Sequence, residues 1–316
     1  MGAYLLLLEV VSILIAFRLA AELISRATNE LEDIFGQGFA AGVVLGIITA
    51  IPETLVVIIA IMQQSYGVAI GAALGGNIIL FTLGTGMVGI VYFGKWKAPV
   101  QMKDDYAVEF NFLLAATLLF IAIAAYQILN PYIGVILIIL YVGYLAIRYS
   151  NARDVFVKNE RKKSFRKDME RAVLYIIAGF IVVALLSGIL VGDISGLANL
   201  LQIPAIWLSL VIVPIFADLS ENINAYKLAK NRKGGGSTAI VSFIGSKLQN
   251  NTLLLGLVCL FALPYLPIAN ALPEFIAIIA VNVIALLVMK RGSLDYKLSV
   301  FLIAFYFAII GLSLLA

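Results

Sequence analysis

The sequence predicts an all-α polytopic membrane protein of ten transmembrane helices, built as two inverted five-helix repeats. Three observations predict it. Hydrophobic residues make up 63% of the 316 and charged residues only 13%, where a soluble domain carries roughly a quarter charged; the mean hydropathy is +1.06. The apolar residues fall into ten blocks, each long enough to cross a bilayer, which takes about 20 residues. The basic residues are sorted onto alternate connections between those blocks.

The blocks run over residues 2–24, 36–63, 66–93, 106–127, 131–148, 170–191, 200–228, 237–263, 272–290 and 294–315. Nothing long and polar enough for a soluble domain is left over. The first run has no basic segment before it, so a cleavable leader is not expected. With the N-terminus placed outside, the odd-numbered connections hold 21 of the 22 lysines and arginines; the remaining one, Lys247, lies inside a span. An asymmetry this complete supports both the helix count and an orientation with both termini outside. Nine of the basic residues lie between Arg148 and Arg171. The chain therefore divides into a first five-helix repeat (1–148), a basic cytoplasmic linker (149–169) and a second repeat (170–316). An odd number of spans per half inserts the second half upside down, a common build for secondary transporters.

Local sequence supports the duplication. A glutamate stands in mid-helix in each half, Glu53 and Glu221, 168 residues apart. An Ala-Ile-x-x-x-(Leu/Ile)-Gly-(Gly/Ser) segment comes after each, with Gly75 and Gly245 170 apart. An ionised side chain at the bilayer centre costs at least about 2.5–3.5 kcal/mol on insertion scales, so residues of this kind are candidate site residues. Pro52, before Glu53, frees carbonyls one turn back near Thr49, and such oxygens suit a hard cation. Asp218 and Glu221 are three apart and share a helix face. Two carboxylates on one face require a cation or a proton between them. Glycines on the third and eighth spans permit close helix approach, which would bring Asn77, Ser246, Gln249 and Asn250 to the acids. Lys247 has two readings: a built-in cation, or a neutraliser of Asp218. Glu9, near the outer end of the first span, is expected to reach the interface.

Composition also excludes functions. There is no histidine and one cysteine, Cys259, which removes the commonest proton shuttle, the commonest transition-metal ligand and any internal disulfide. No HExxH, GxSxG or Walker motif is present, so an enzyme is not expected.

The acidic repeats resemble the α-repeats of the cation/calcium antiporter superfamily, which includes the sodium/calcium exchangers. Its repeats carry a GTSLPE-like motif on helix 2 or 7 and a GSN-like motif on helix 3 or 8. Here the first pair reads Ile48-Thr49-Ala50-Ile51-Pro52-Glu53 and Gly75-Gly76-Asn77. The second reads Phe216-Ala217-Asp218-Leu219-Ser220-Glu221 and Gly245-Ser246-Lys247. The resemblance implies that Glu53 and Glu221 are the central Ca²⁺ ligands, with Thr49, Ser246 and Asn250 at ligand positions. It also implies that helices 1 and 6 slide across a core of helices 2, 3, 7 and 8. The chain departs from the motifs at Ala50, Gly76, Leu80, Ala217, Asp218 and Lys247. Several of these changes remove hydroxyls that would help bind Na⁺ in sodium-coupled members.

The expected function is an antiporter exchanging Ca²⁺, or another divalent cation, for Na⁺ or H⁺ by alternating access. Its cation-binding set is Glu53, Glu221, Thr49, Asp218, Asn77, Ser246 and Asn250, with Lys247 compensating charge or coupling. No cofactor is expected, and the partners are inorganic cations and the lipid bilayer of a plasma membrane, without nucleic acid, for a chain working as a monomer. The alternatives are a relative that carries another cation, or a membrane enzyme or scaffold that transports nothing.

Overall fold

In the computed structural model, the described residues are 2–35, 50–102, 106–152, 165–261 and 266–315. Thr49, the candidate ligand one turn before Glu53, lies outside them, as do the carbonyls freed by Pro52. The described chain is almost wholly helical. Backbone N–H and C=O groups in a bilayer have no water to bond, and a helix satisfies them internally.

In chain order the helices are α1 (Gly2–Phe35), α2 (Ile51–Met62), α3 (Tyr66–Trp96), α4 (Ala107–Tyr126), α5 (Pro131–Ala152), α6 (Phe165–Leu201), α7 (Ala205–Ala217), α8 (Leu219–Asn231), α9 (235–261), α10 (Leu272–Arg291) and α11 (Tyr296–Leu315). Six helices among the described residues, α3 to α6, α10 and α11, are long and apolar enough to cross a membrane. The helical ends reach further than the apolar blocks alone indicate. The segment read as the linker 149–169 loses residues to α5 at one end and to α6 at the other, and 153–164 lie outside the described set. The seventh block, read as one span over 200–228, is two helices that meet at Asp218.

The same series of features occurs twice. α2 begins after Ala50 (φ −85°, ψ 0°) and α8 after Asp218 (φ −89°, ψ 0°), both in the sparsely populated bridge region between helix and strand. One turn of π-helix interrupts α3 at Leu80–Gly84 and α9 at Asn250–Leu254, 170 residues apart, matching the offset of the glycines. Two short antiparallel ribbons complete the correspondence. β1 (Val100–Gln101), after α3, pairs with β4 (Ser293–Leu294), between α10 and α11; β2 (Ile128–Leu129), between α4 and α5, pairs with β3 (Leu266–Pro267), after α9. Each ribbon therefore ties a connection of the first series to one of the second. Beside β4, Asp295 caps α11 by accepting the Leu298 amide (2.8 Å). That amide, with Arg291 nearby, holds the partly exposed Asp295 carboxyl below the usual carboxylate range.

Two helices stand apart by length. α1 has 34 residues and α6 has 37, about 51 and 55 Å at 1.5 Å per residue, against about 30 Å of hydrocarbon. They lie along one another. Gly179 of α6 admits Ile24, whose Cγ1 is 2.6 Å from where a Cβ would stand, and Ala27 and Leu31 meet Ala172 beyond it. Their other faces expose Leu8, Val11, Ile15 and Leu19, and Leu174, Ile177, Ile181 and Leu185, as a lipid contact requires. Glu9 is exposed on α1.

α3, by contrast, is enclosed along nearly its whole length. It crosses α7 at Gly71 and Gly75. A Cβ on Gly71 would strike the Ile206 carbonyl oxygen and stand 2.9 Å from Leu210 N. One on Gly75 would strike the Leu210 carbonyl oxygen and stand 2.6 Å from Pro214 Cγ. Pro214 has no N–H to return to Leu210, so this carbonyl lacks its helical partner. Ser209 closes the crossing by donating to the Val68 carbonyl (2.8 Å).

Gly75→Ala is expected to destabilise the protein by roughly 1–3 kcal/mol, as overpacking does, because the obstructing atoms are a backbone carbonyl and a rigid proline ring. Gly94→Ala, with nothing within 4 Å of its Cβ position, should be neutral or slightly stabilising. Thermal unfolding of the two purified variants in one detergent compares them directly.

Candidate cation site

The site lies where the two hinges meet the two interrupted helices. Pro52 sits in the first turn of α2, where its missing N–H costs nothing, and Glu53 is the next residue. In the second series Ser220 stands in place of that proline, so sequence alone left the break there open. The structure breaks the helix there nonetheless, four residues beyond Pro214. Each hinge carbonyl is gripped by a side chain four residues on. Thr54 Oγ1 donates to the Ala50 carbonyl (2.8 Å), and Asn222 Nδ2 to the Asp218 carbonyl (3.0 Å). Asn222 is also held by Tyr226, whose hydroxyl donates to its Oδ1 (3.0 Å).

Glu53 and Asp218 are each only 5% exposed, and Asn250, the first residue of the π-helical turn in α9, 2%. Glu53 Oε1, Asp218 Oδ2 and Asn250 Nδ2 are buried, face one another and find no hydrogen-bond partner outside their own group. All three converge on Gly76. A Cβ built there would stand 2.8 Å from Glu53 Oε1, 3.1 Å from Asp218 Oδ2 and closer still to Asn250 Nδ2. The amide, turned about its last bond, presents Oδ1 at the same point. Glu221 stands on the other side of the hinge, within electrostatic reach of both acids. It accepts a hydrogen bond from Ser246 Oγ (2.7 Å).

Two carboxylates that face one another in this setting repel by about 4 kcal/mol at 4 Å even with an effective dielectric constant of 20. They hold together around a cation or a shared proton. Oxygen donors alone, with neither imidazole nor thiolate, suit a hard cation. Among the described residues no three acids close into a tight cage. The arrangement is two carboxylates and an amide on one point, with a third carboxylate beside it.

Of the residues singled out in the sequence, the structure brings together Glu53, Asp218, Glu221, Ser246 and Asn250. Asn77 and Lys247 have other partners. Asn77 Nδ2 donates to Asn251 Oδ1 (2.6 Å), and Asn251 Nδ2 to Asn282 Oδ1 (3.1 Å), a row of amides across α3, α9 and α10. Lys247, fully buried, donates to the Asn77 carbonyl (3.3 Å), with its Nζ 5.1 Å from the centre of the Phe81 ring. It makes no ion pair with Asp218 among the described residues. Its reach along α3 takes the ammonium to a backbone oxygen instead.

Gln249, expected from the sequence to reach the acids, also has another partner, and a second buried group, Glu109, is not apparent from the sequence. Gln249 Oε1 accepts from the Tyr141 hydroxyl (3.0 Å), and Glu109, only 1% exposed, pairs with Arg148 (2.7 Å) and accepts from Tyr144 (3.2 Å). Glu109 sits in the first turn of its helix, which reads from sequence as an ordinary helix end. Gly76 carried a signal, since its counterpart 170 residues on is Ser246, but its meaning depends on what faces it.

The sequence pattern of the sodium/calcium exchanger proteins matches residues 4–150 and 171–315. The chain belongs to that family. The exchanger family consists of cation transporters, so this member is a transporter rather than an enzyme. The two matched stretches are the two series of helices. A curated relative, the inner membrane protein YrbG of Escherichia coli (strain K12), is 24% identical over 259 residues, covering 79% of this chain and 77% of its own. Among solved structures, the H⁺/Ca²⁺ exchanger CAX superposes with a TM-score of 0.81 at 18% identity, over 98% of this chain and 86% of its own. Native YfkE gives 0.75 at 19%, over 100% and 93%. The sodium-calcium exchanger NCX_Mj, soaked with Na⁺ and Sr²⁺, gives 0.64 at 21%, over 98% of each chain. This exchanger-family member thus shares the fold of all three.

Removing the hydroxyl that holds Glu221 should weaken cation binding. Ser246→Ala forfeits a hydrogen bond to a charged group, about 1.5–3 kcal/mol, so equilibrium ⁴⁵Ca²⁺ binding to purified protein should weaken by roughly 10- to 100-fold.

Proposed function

We propose that this protein is a secondary active antiporter that exchanges Ca²⁺, or another divalent cation, for H⁺ or Na⁺ at a site between Glu53 and Glu221. The observation that carries this reading is the convergence of Glu53 Oε1, Asp218 Oδ2 and Asn250 Nδ2, all buried and with no partner outside the group, on one point. Each half of the chain supplies part of the site, as a mechanism that alternates access around a fixed centre requires. The reading includes ten spans in two inverted repeats, 1–148 and 170–316, joined by a basic cytoplasmic linker over 149–169, with both termini outside a plasma membrane. The twofold recurrence of hinge, π-helical turn and ribbon supports the repeats, and the distribution of lysine and arginine supports the orientation.

α1 and α6 are the moving parts in this scheme. They pack chiefly against one another and present apolar faces to lipid, so they slide with little change in the enclosed core. H⁺ is the favoured counter-ion. Facing carboxylates accept either a divalent cation or a proton, which is exchange in itself, and Ala50, Ala217 and Gly76 offer no hydroxyl to Na⁺. The names of two structural neighbours support the substrate class: one is an H⁺/Ca²⁺ exchanger, the other a sodium-calcium exchanger.

Flux in proteoliposomes tests the proposal. ⁴⁵Ca²⁺ uptake is expected to need an outward H⁺ gradient and to respond less to an outward Na⁺ gradient. Uptake that runs equally well with neither gradient would identify a passive pathway. Glu53→Gln and Glu221→Gln should each lower uptake by at least about 100-fold, the scale of removing one member of a buried charged set (3–5 kcal/mol). Full exchange in either variant would remove that glutamate from the site.

A further inference from the structure

The two halves of the site are not chemical copies of one another. In the second, Glu221 receives its hydrogen bond from Ser246 of the same repeat. The counterparts of Glu221 and Ser246 in the first half are Glu53 and Gly76, 168 and 170 residues earlier. Gly76 has no side chain to offer. The space it leaves is entered from across the molecule by Asn250 Nδ2 and by Asp218, whose Oδ2 comes within 3.1 Å of where the Cβ would stand and brings the second charge. Asp218 in turn corresponds to Ala50, which returns nothing to Glu221. A hydroxyl supplied within the repeat has thus been replaced by a carboxylate supplied from the other repeat.

We infer that Gly76 and Asp218 act as one specificity-determining pair, in which the missing side chain at 76 admits a second carboxylate to Glu53 and commits that half of the site to a divalent cation. The inference rests on the proposed transport site and sharpens its selectivity. Two carboxylates on one point, with an amide that offers its oxygen when turned, give charge and donors suited to a hard divalent ion. A carboxylate with a hydroxyl, as at Glu221 and Ser246, carries half that charge and suits a monovalent ion. The obstruction at Gly76 also differs in kind from that at Gly71 and Gly75. There the nearest neighbours are backbone carbonyl oxygens of α7, with Ser209 Cβ and the Pro214 ring beside them, none of which can swing away. At Gly76 they are the ends of three side chains, which swing aside without moving a helix. A side chain at 76 therefore alters the site and spares the fold.

The test exchanges the pair. Gly76→Ser, Asp218→Ser and the double variant are reconstituted, and ⁴⁵Ca²⁺ uptake is driven by the gradient that drives the natural chain. Each single variant should lose about tenfold or more in uptake, with its unfolding temperature little changed. The double variant should recover about tenfold over Gly76→Ser, a non-additivity expected only of groups in contact, and its uptake should become inhibited by Na⁺ at concentrations that leave the natural chain unaffected. Wild-type uptake in Gly76→Ser, a Gly76→Ser chain that does not fold, or a double variant no better than its worse parent would each overturn the pairing. Asp218→Ser decides independently: unchanged equilibrium ⁴⁵Ca²⁺ binding in that variant refutes it. Glu53→Gln run alongside separates the two levels. If Glu53→Gln is inactive while Gly76→Ser is fully active, only the pairing falls. If Glu53→Gln itself transports normally, the site falls.

Discussion

Two buried carboxylates, Glu53 and Asp218, point at one another across the open side of a glycine, and much of the core around them is arranged to hold them there. Lone charges in an apolar interior are expensive, and like charges in contact more so. Such an arrangement persists only if the backbone is prevented from relaxing and if something positive visits the gap. The first condition is visible in the structure. Both acids start or adjoin a helix at a bridge-region residue. Both hinge carbonyls are tied to a side chain four residues on. α3 is pressed onto α7 through Gly71 and Gly75, so the floor of the site cannot retreat.

The enclosing elements answer to this constraint. α3 and α9 bring small and polar side chains to mid-membrane, and each carries a π-helical turn directly after its motif. An inserted residue of this kind rotates the later part of the helix relative to the earlier, and in α9 the first residue of the turn is Asn250. The amide row from Asn77 to Asn282 and the reach of Lys247 to the Asn77 carbonyl join α3, α9 and α10 through buried polar contacts. α1 and α6, long and lipid-facing, make their largest contact with each other rather than with this core. The structure thus divides into an enclosed polar centre and a long apolar pair packed chiefly on itself, the division that the proposed alternating access requires.

Much of the architecture was legible in the sequence, for definite reasons. Apolar blocks of about 20 residues, separated by sorted basic residues, leave few alternatives to spanning helices, because the bilayer forbids exposed backbone polar groups. Glu53 and Glu221 stood out because charge in an apolar run is rare, and their spacing exposed the duplication. Some boundaries were less accessible. The break at Asp218 has no proline at the position where the first repeat has Pro52; the nearest, Pro214, lies a turn earlier. Glu109 looks like a helix-end acid until Arg148 and Tyr144 are seen against it. Lys247, beside Ser246 in sequence, invites pairing with Asp218, yet its side chain leaves α9 in a direction that ends on α3.

By itself, then, the sequence determined what must lie in lipid, which half repeats which, and which charged residues needed a partner there, because hydropathy and spacing act along the chain. Tertiary structure decided which of those residues share a point. That outcome depends on how far a glycine lets two helices approach and on what the opposing repeat places in the opening. At Gly76 the decisive property is an absence of atoms, which acquires meaning only when Glu53, Asp218 and Asn250 are brought around it.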